Sequence, residues 1–342
     1  MIWRGVELCC PACRGELIEE GSGAEPELHC AACHARYPVI LGIPDLRIFD
    51  DPYITREADR AKARVLAERS QELDFAGLAA HYYASTPVVT AAQARSFIAG
   101  LLAAEARAAA TLDAWEGAPP PAPRAQTMLE IGCGTGPMLL AAGHRYESRI
   151  GVDIAFRWLI VGQKRLQEAG ADIPTFCACA EALPFPDAIA DVVVGDAVIE
   201  NVHDQRRTVA EAWRVLRPGG RIHLTTSNRR SVGPDPQTGI WAVGWLPPDM
   251  VKARVERGGG IPPKRTLLSP PELRRLLRDV GFAGIRLGLP TFPAAQRAQF
   301  PAPLRAIASI YGFATRLPVA RQALFAIGPK FLATASKAPA TS

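Results

Sequence analysis

The feature that most constrains the fold is a pair of apolar runs, each ending in residues suited to holding a nucleoside. The first, MLEIGCGTG, occupies 128–136 and breaks into three glycines at every second position. Glycine lets the backbone turn sharply and approach a ligand where a Cβ would collide. The second, IGVD, ends at Asp153, close to the roughly 20 residues expected between a glycine turn and an acid that accepts hydrogen bonds from a ribose. The pattern predicts two strands with a nucleoside site at their carboxyl ends.

Glu130, two residues before the first glycine, distinguishes this pattern from that of dinucleotide-binding proteins. The glycines read GxGxG rather than GxGxxG, so the third does not lie where a pyrophosphate would need it. A carboxylate at the end of a buried strand repels a pyrophosphate and suits a cationic ligand. The segment resembles motif I, E/DxGxGxG, of the class I S-adenosylmethionine (SAM) methyltransferases. A glycine turn in another α/β fold is the alternative.

Later segments resemble the remaining motifs of this family, in order, over residues 125–285. CACAEALPFPDAIADVV is similar to the family pattern GDAxxLPFxDxxFDxV, and EAWRVLRPGGRIHLTTSN is similar to the helix, turn and fifth strand that follow. The domain resembles the UbiE, or type-11, kind. The resemblance implies that SAM is the cofactor. It implies these binding residues: Glu130, Gly132, Gly134, Gly136, Asp153, Ala180, Glu181 and Asp196.

Two positions depart from the family pattern. Cys179 occupies the place where many members carry an acid that contacts the adenine amine. We therefore expect Glu181 or a backbone amide to make that contact. Asn201 follows Glu200 where the typical pattern ends in Glu-His.

Alternating strand and helix patterns after residue 125 predict a doubly wound α/β sheet. Strands are expected at 127–132, 149–153, 174–179, 190–197 and 219–227. The family topology adds a sixth strand in GFAGIRLGLPTF and an antiparallel seventh in KFLATASKA. The expected fold is a seven-stranded, Rossmann-like methyltransferase sheet with helical additions and an N-terminal zinc ribbon.

Two CxxC pairs predict that the zinc ribbon is of the four-cysteine type. Cys10 and Cys13 are separated from Cys30 and Cys33 by sixteen residues, within the range for such sites. Each CxxC turn places two thiolates on one side of a knuckle, and two knuckles close a tetrahedron around zinc. Four thiolates leave no open position, so we expect a structural zinc; a redox CxxC is the alternative. The trailing YPVILGIPDL resembles the small zinc-ribbon proteins that activate tRNA and protein methyltransferases.

Composition and spacing suggest the domain organisation. The connector is rich in Ala, Arg, Glu and Leu at helical spacing, and GAPPPAPR cannot lie inside a helix. We expect a zinc ribbon at 1–50, a helical cap or connector at 51–117, a proline-rich linker at 118–125 and the methyltransferase domain at 126–342. Within that domain we expect a lid insertion at 228–266 and a helical insertion at 297–328.

Positive charge is concentrated towards the C-terminal end. After residue 280 there are seven Lys and Arg but no Asp or Glu, whereas the whole chain carries +5. A basic, partly apolar segment suits a membrane surface or an anionic partner. MIWRGVELCC shows no charged-then-apolar leader, and no run of about 18 apolar residues appears. We expect a cytoplasmic protein. The apolar insertion in this region is expected to contact a membrane surface, to roof an apolar substrate site or to pack as ordinary helices, and the oligomeric state stays open.

Methyl transfer from SAM is an in-line displacement, so the enzyme mainly aligns the reactants and excludes water. An oxygen acceptor with a high pKa also needs a general base. His203, which follows the fourth strand, and Asp196, at the end of that strand, are the main candidates, with a structural histidine as the alternative. Glu200 is a further candidate that could equally serve packing or capping. Trp241, Trp245 and Arg229 in the lid are candidates for substrate contact, the alternative being tryptophans that pack within the lid.

These features together predict a SAM-dependent methyltransferase that acts on a small-molecule or lipid-like acceptor, at oxygen. Two alternatives stay open. An RNA methyltransferase would use the zinc ribbon to recognise its substrate, but the ribbon is not basic, so nucleic acid is the less expected partner. A non-catalytic SAM-fold scaffold or activator is the other, and the intact glycine turn and Asp153 argue against it.

Overall fold

The computed structural model describes residues 1–21, 26–86, 89–235, 237–290, 297 and 302–339. Short pieces of several predicted regions lie outside the described residues. They are 22–25 of the zinc ribbon, 87–88 of the connector, 236 of the lid, 291–296 at the end of the sixth strand, 298–301 of the helical insertion and 340–342 at the end of the chain.

The N-terminal region consists of short antiparallel strands. Strands β1 and β2 form a hairpin, and β3 to β6 form a four-stranded sheet in sequence order. The bounds are β1 (Ile2–Trp3), β2 (Val6–Glu7), β3 (Leu17–Glu20), β4 (Glu27–Cys30), β5 (Arg36–Ile40) and β6 (Ile43–Pro44). Leu17, Leu28 and Tyr37 are buried in this small sheet and belong to one hydrophobic cluster with residues further along the chain, among them Leu129 and Phe176.

Four helices follow. They are α1 (Arg56–Arg69), α2 (Phe75–Ala84), α3 (Ala91–Leu102) and α4 (Ala104–Glu116). Thr55, Asp74 and Thr90 begin the first three, and each side chain accepts a hydrogen bond from the first turn of its helix.

A seven-stranded mixed sheet forms the main body. Its spatial order is β12-β13-β11-β10-β7-β8-β9, with β13 antiparallel to both neighbours and the remaining pairs parallel. The strands are β7 (Arg124–Ile131), β8 (Tyr146–Asp153), β9 (Thr175–Cys177), β10 (Ala190–Asp196), β11 (Leu216–Ser227), β12 (Ala283–Gly288) and β13 (Lys330–Ser336). This topology confirms the predicted doubly wound methyltransferase sheet.

Helices connect these strands. They are α5 (Pro137–Ala141), α6 (Phe156–Glu168), α7 (Gln205–Val215), α8 (Pro248–Arg257), α9 (Pro270–Val280), α10 (Ala302–Ala314) and α11 (Pro318–Ile327). Strand β7 begins at Arg124, inside the range expected for the linker, because Arg124 pairs with Tyr146 on β8. Strand β9 is shorter than predicted because the chain turns after Cys177, where the Ala178 N–H donates to the Asp153 carbonyl at 3.0 Å.

The N-terminal sheet lies against the edge of the main sheet. Asp45 forms a parallel bridge with Cys177, and the Leu46 N–H donates to the Cys177 carbonyl at 2.7 Å. The chain from β6 therefore covers the exposed edge at β9, which a folded protein must protect. We call residues 45–54, which continue from this contact to α1, the strap. Within the described part of the chain, no helix combines the length and apolarity needed to cross a membrane.

Candidate cofactor and acceptor site

The glycine turn after β7 adopts backbone conformations that favour glycine. Gly132, Gly134 and Gly136 have φ of 73°, 49° and 73°, in the left-handed region that other residues rarely adopt. A Cβ on Gly132 would lie 2.6 Å from Val198 Cγ2. The turn is fixed to β8 because the N–H groups of Gly132 and Cys133 both donate to the Val152 carbonyl, at 2.7 and 3.0 Å.

Asp153 joins the glycine turn to the end of β8. Its Oδ2 accepts a hydrogen bond from the Gly134 N–H at 2.8 Å, and its Oδ1 accepts one from the Ala155 N–H at 2.7 Å. Burial raises the pKa of this carboxyl, and the two N–H groups oppose that shift. The carboxylate is thus held beside the turn, where the sequence predicted a ribose-binding acid.

A cavity of about 220 Å³, called here the cofactor cavity, lies over the carboxyl ends of the parallel strands. Five of the predicted cofactor residues line it: Gly132, Asp153, Ala180, Glu181 and Asp196. His203 lines it too. Gly134 and Gly136 do not line it. Gly134 donates a hydrogen bond to Asp153, which does, and Gly136 is the N-cap of α5 and packs near Leu166.

Glu130, next to the last residue of β7, does not line this cavity and is 3% exposed. Its Oε2 has no hydrogen-bond partner among the described residues. Burial raises the pKa of Glu130 well above its ordinary value, and the nearby carboxylates of Asp196 and Asp153 raise it further. A buried carboxyl with an unpartnered oxygen fits a cationic group on a bound ligand, which would restore the ionised form.

A second cavity of about 790 Å³, called here the acceptor cavity, adjoins the first. The two share the wall residues Pro52, Ile154 and Asn201. Its aromatic and apolar walls come from Tyr53 of the strap, Phe97 of α3, Trp158 of α6 and Ile240 of the lid. Its charged lining residues are Arg254 of α8 and the ion pair of Arg157 with Asp51. A molecule in this cavity would approach the cofactor cavity through the shared wall.

His203 lies at the rim of the cofactor cavity. Its Nδ1 is 4.0 Å from Glu181 Oε1, and its ring packs edge-on against Phe49 with centroids 4.7 Å apart. Glu181 also accepts a hydrogen bond from the His203 N–H at 2.7 Å. Asp196, the second candidate base, accepts a hydrogen bond from the Thr225 hydroxyl. The structure therefore brings both predicted catalytic side chains to one cavity.

The three lid residues predicted to contact substrate lie elsewhere. Trp241 and Trp245 are 68% and 62% exposed, and neither lines the cofactor or acceptor cavity. Arg229 pairs with Glu272 at 2.6 Å, a residue of the capping box that begins α9. The described lid contributes Thr238, Ile240 and residues of α8 to the acceptor cavity instead.

The strap holds the loop after Asp153 through a buried ionic network that the sequence analysis missed. The fully buried Arg47 guanidinium donates to Asp45 at 2.7 Å, to Asp59 at 2.8 Å and to the Ile154 carbonyl at 3.0 Å. Asp59 in turn accepts from the Phe156 N–H at 2.8 Å, at the start of α6. Four charged residues within the ten positions of the strap, at 45, 47, 50 and 51, were the available signal, because buried charges are nearly always paired.

The four predicted metal ligands converge in the N-terminal sheet. The Sγ atoms of Cys10, Cys13, Cys30 and Cys33 all lie within 4.8 Å of one another. The separation is 3.6 Å for Cys10–Cys33 and 3.4 Å for Cys13–Cys30. Zn–S bonds of about 2.3 Å in a tetrahedron place the sulfurs about 3.8 Å apart, so the cluster fits a zinc-binding module. Cys9 lies outside it.

The sheet order, the glycine turn and the acid at the end of β8 define a class I SAM-dependent methyltransferase domain. Residues 129–224 match the family model described as "Methyltransferase domain".

Parts of this chain are similar to proteins of known name. A ubiquinone biosynthesis O-methyltransferase of Idiomarina loihiensis is 29% identical over 46% of this chain and 64% of its own length. A ubiquinone/menaquinone biosynthesis C-methyltransferase UbiE of Ralstonia pickettii is 38% identical over 28% of this chain and 40% of its own. A Haemonchus contortus phosphoethanolamine N-methyltransferase 2 structure has a TM-score of 0.46 and 18% identity, covering 68% of this chain and 52% of that one. The chain spans less than two thirds of the length of the Idiomarina and Ralstonia proteins.

Proposed function

We propose that the protein transfers the methyl group of SAM to a molecule bound in the acceptor cavity. The observation that carries this proposal is the shared wall, at Pro52, Ile154 and Asn201, between that cavity and the one beside the glycine turn. Asp153 would hold the ribose, and Glu130 would face the cationic end of SAM. When bound, SAM supplies an already activated methyl group, so the chain's main task is alignment and exclusion of water.

We propose a small-molecule or lipid-like acceptor that is methylated at oxygen. Aromatic and apolar walls from Tyr53, Phe97 and Trp158 suit an apolar ring or chain, and Arg254 is placed to meet an anionic group at the same cavity. The named relatives include both an O- and a C-methyltransferase. The presence of two candidate bases favours oxygen, because a hydroxyl with a high pKa must lose its proton as the bond forms.

His203 is the base we favour. Its imidazole would accept the acceptor's proton, and Glu181, 4.0 Å away, would stabilise the imidazolium that forms. Asp196 is the alternative base. The His203→Gln variant should lower kcat by about 100-fold, as expected for loss of a general base, with little change in SAM affinity. His144→Gln, at an exposed position, is the matched control. Equal loss in Asp196→Asn alone would transfer the role to Asp196.

We also propose that the four cysteines hold a structural zinc. Four thiolates close the coordination shell, so the ion would supply stability rather than chemistry. Metal analysis of the purified protein should give about one zinc per chain, and Cys13→Ser should lose it. Retention of zinc by Cys13→Ser would contradict this ligand set.

The decisive experiment for the reaction is labelling with tritiated SAM. Extracts of cells that lack the protein are incubated with purified protein and fractionated into RNA, protein, lipid and small molecules. Label in the lipid or small-molecule fraction supports the proposal. Label in RNA would support the RNA methyltransferase alternative. Calorimetry that finds no binding of SAM to the folded protein would leave only the non-catalytic scaffold.

A further inference from the structure

Helices α10 and α11 present large apolar side chains to solvent. Ile307, Ile310 and Phe313 on α10, Leu317 between the helices and Val319 on α11 are all at least 45% exposed. The opposite side of α10 faces the protein: Ala308 is buried, and the Tyr311 hydroxyl donates to the Pro290 carbonyl at 2.9 Å. The helix is therefore docked by one face, and its other face is a spaced row of apolar residues. The surfaces of soluble monomeric proteins rarely expose apolar side chains in such a cluster.

Three arginines line a cavity beside the same two helices. Arg316, Arg321 and Arg274 of α9 line a cavity of about 500 Å³ together with the apolar Leu287 and Phe325. All three arginines are exposed, and none forms an ion pair with a described carboxylate. Guanidinium groups in this arrangement suit a phosphate, to which arginine can donate two parallel hydrogen bonds.

The charge of the surrounding chain selects between the occupants that could cover this surface. The chain after residue 280 has seven basic residues and no acidic one. A second copy of the same surface would add like charge across the contact, whereas an anionic bilayer is complementary to both its charge and its apolar row. RNA would satisfy the arginines but leave the isoleucines and Phe313 in water.

We propose that α10 and α11 form a membrane-docking surface for anionic phospholipid. The apolar row of Ile307, Ile310, Phe313, Leu317 and Val319 inserts among the acyl chains. The cavity of Arg274, Arg316 and Arg321 receives a phosphate headgroup. This inference is independent of the methyl-transfer reaction, because the surface lies at the β12 edge of the sheet and includes none of the residues of the cofactor or acceptor cavity.

The test is co-sedimentation of the full chain with vesicles of phosphatidylcholine alone or phosphatidylcholine with phosphatidylglycerol. The wild type should pellet with the anionic vesicles and much less with the neutral ones. The double variant Arg316→Gln/Arg321→Gln should bind anionic vesicles roughly 25-fold more weakly, since each basic residue near an anionic surface contributes about fivefold. The double variant Ile307→Asn/Ile310→Asn should also lose binding.

Matched controls make the same chemical changes elsewhere. Arg206→Gln/Arg207→Gln removes two exposed arginines from α7, and Ile18→Asn removes an exposed isoleucine from β3. Both should bind vesicles as the wild type does. Thermal unfolding and calorimetry with S-adenosylhomocysteine, run on every variant, separate misfolding and failure of the cofactor site from loss of membrane contact.

Three results would overturn the proposal. The first is absence of wild-type binding to anionic vesicles. The second is an equal loss of binding in the control variants. The third is evidence for a different occupant. A second copy is indicated if the wild type binds no vesicles and forms dimers by light scattering that Ile307→Asn/Ile310→Asn abolishes. RNA is indicated if RNA binding depends on Arg316 and Arg321 while vesicle binding does not.

Discussion

At the scale of single residues, we expect SAM binding to depend on how a buried acid is ionised. Glu130 is enclosed at the end of β7, and burial together with Asp196 and Asp153 raises its pKa well above the ordinary value. A cationic group bound beside it would favour the carboxylate and lower that pKa, so binding releases a proton at a pH between the bound and free values. Affinity for SAM should therefore rise with pH through that window and level off above the pKa of the free protein.

Glu130→Gln should remove this pH dependence, because the amide has the carboxyl's shape but does not ionise. At the upper end of the pH range its SAM affinity should be about 10- to 100-fold lower, the usual effect of losing a charged hydrogen bond. Calorimetry in buffers of different ionisation enthalpy measures the protons released. Glu147→Gln, at an exposed position on β8, should behave as wild type. A wild-type pH profile in Glu130→Gln would disprove this role.

At the scale of elements, the parts of the site built from nearby sequence were predictable and the parts built from distant sequence were not. The glycine turn and Asp153 belong to adjacent strands, so a short pattern placed them together. The strap residues Pro52 and Tyr53 line the cavities from a segment about 80 residues before the turn, and no local periodicity indicates that contact. Trp241 and Trp245 were expected at the substrate by residue type alone, whereas their direction depends on how the lid folds.

Helix α6 provides a prediction at this scale because it packs on the glycine turn through Gly162. A Cβ there would lie 3.0 Å from the Gly134 carbonyl oxygen and 3.1 Å from the Thr135 Cα, both backbone atoms of the turn. Gly162→Ala should therefore displace the turn and weaken SAM binding, although helix propensity alone favours Ala by about 1 kcal/mol.

Gly100→Ala is the control for that change. Gly100 also lies within a helix, α3, but a Cβ there meets no atom within 4 Å. The Gly100→Ala variant should stabilise the protein by about 0.5 to 1 kcal/mol and leave SAM affinity unchanged. Calorimetric titration and thermal unfolding of the pair decide the matter: if Gly162→Ala gained stability and kept its affinity, the close packing of α6 on the turn would not constrain the site.

At the scale of the whole molecule, the N-terminal sheet and the cofactor cavity form one connected structure. The sheet covers the β9 edge through Asp45 and Leu46. From there Arg47 and Asp59 hold the backbone at Ile154 and Phe156, immediately after Asp153, the predicted ribose-binding acid. Breaking a buried ion pair is costly, by about 3–5 kcal/mol. We therefore expect any loosening of the N-terminal sheet to reach Asp153 through this network.

On the proposal that the four cysteines hold zinc, removal of that ion should weaken SAM binding, although none of its ligands lines the cofactor cavity. Thermodynamic linkage requires the reverse effect too: S-adenosylhomocysteine bound to the intact protein should slow or reduce zinc loss to a competing chelator, by the same factor in equilibrium affinity. Zinc release is followed with a colorimetric chelator, and hydrogen exchange at 153–157 reports the loop directly. Arg36→Gln breaks an exposed ion pair with Glu27 on the ribbon surface, and it should change neither the zinc release nor the hydrogen exchange at 153–157. Zinc release that is insensitive to a saturating ligand, with exchange at 153–157 unaltered by chelation, would mean that the two sites are independent.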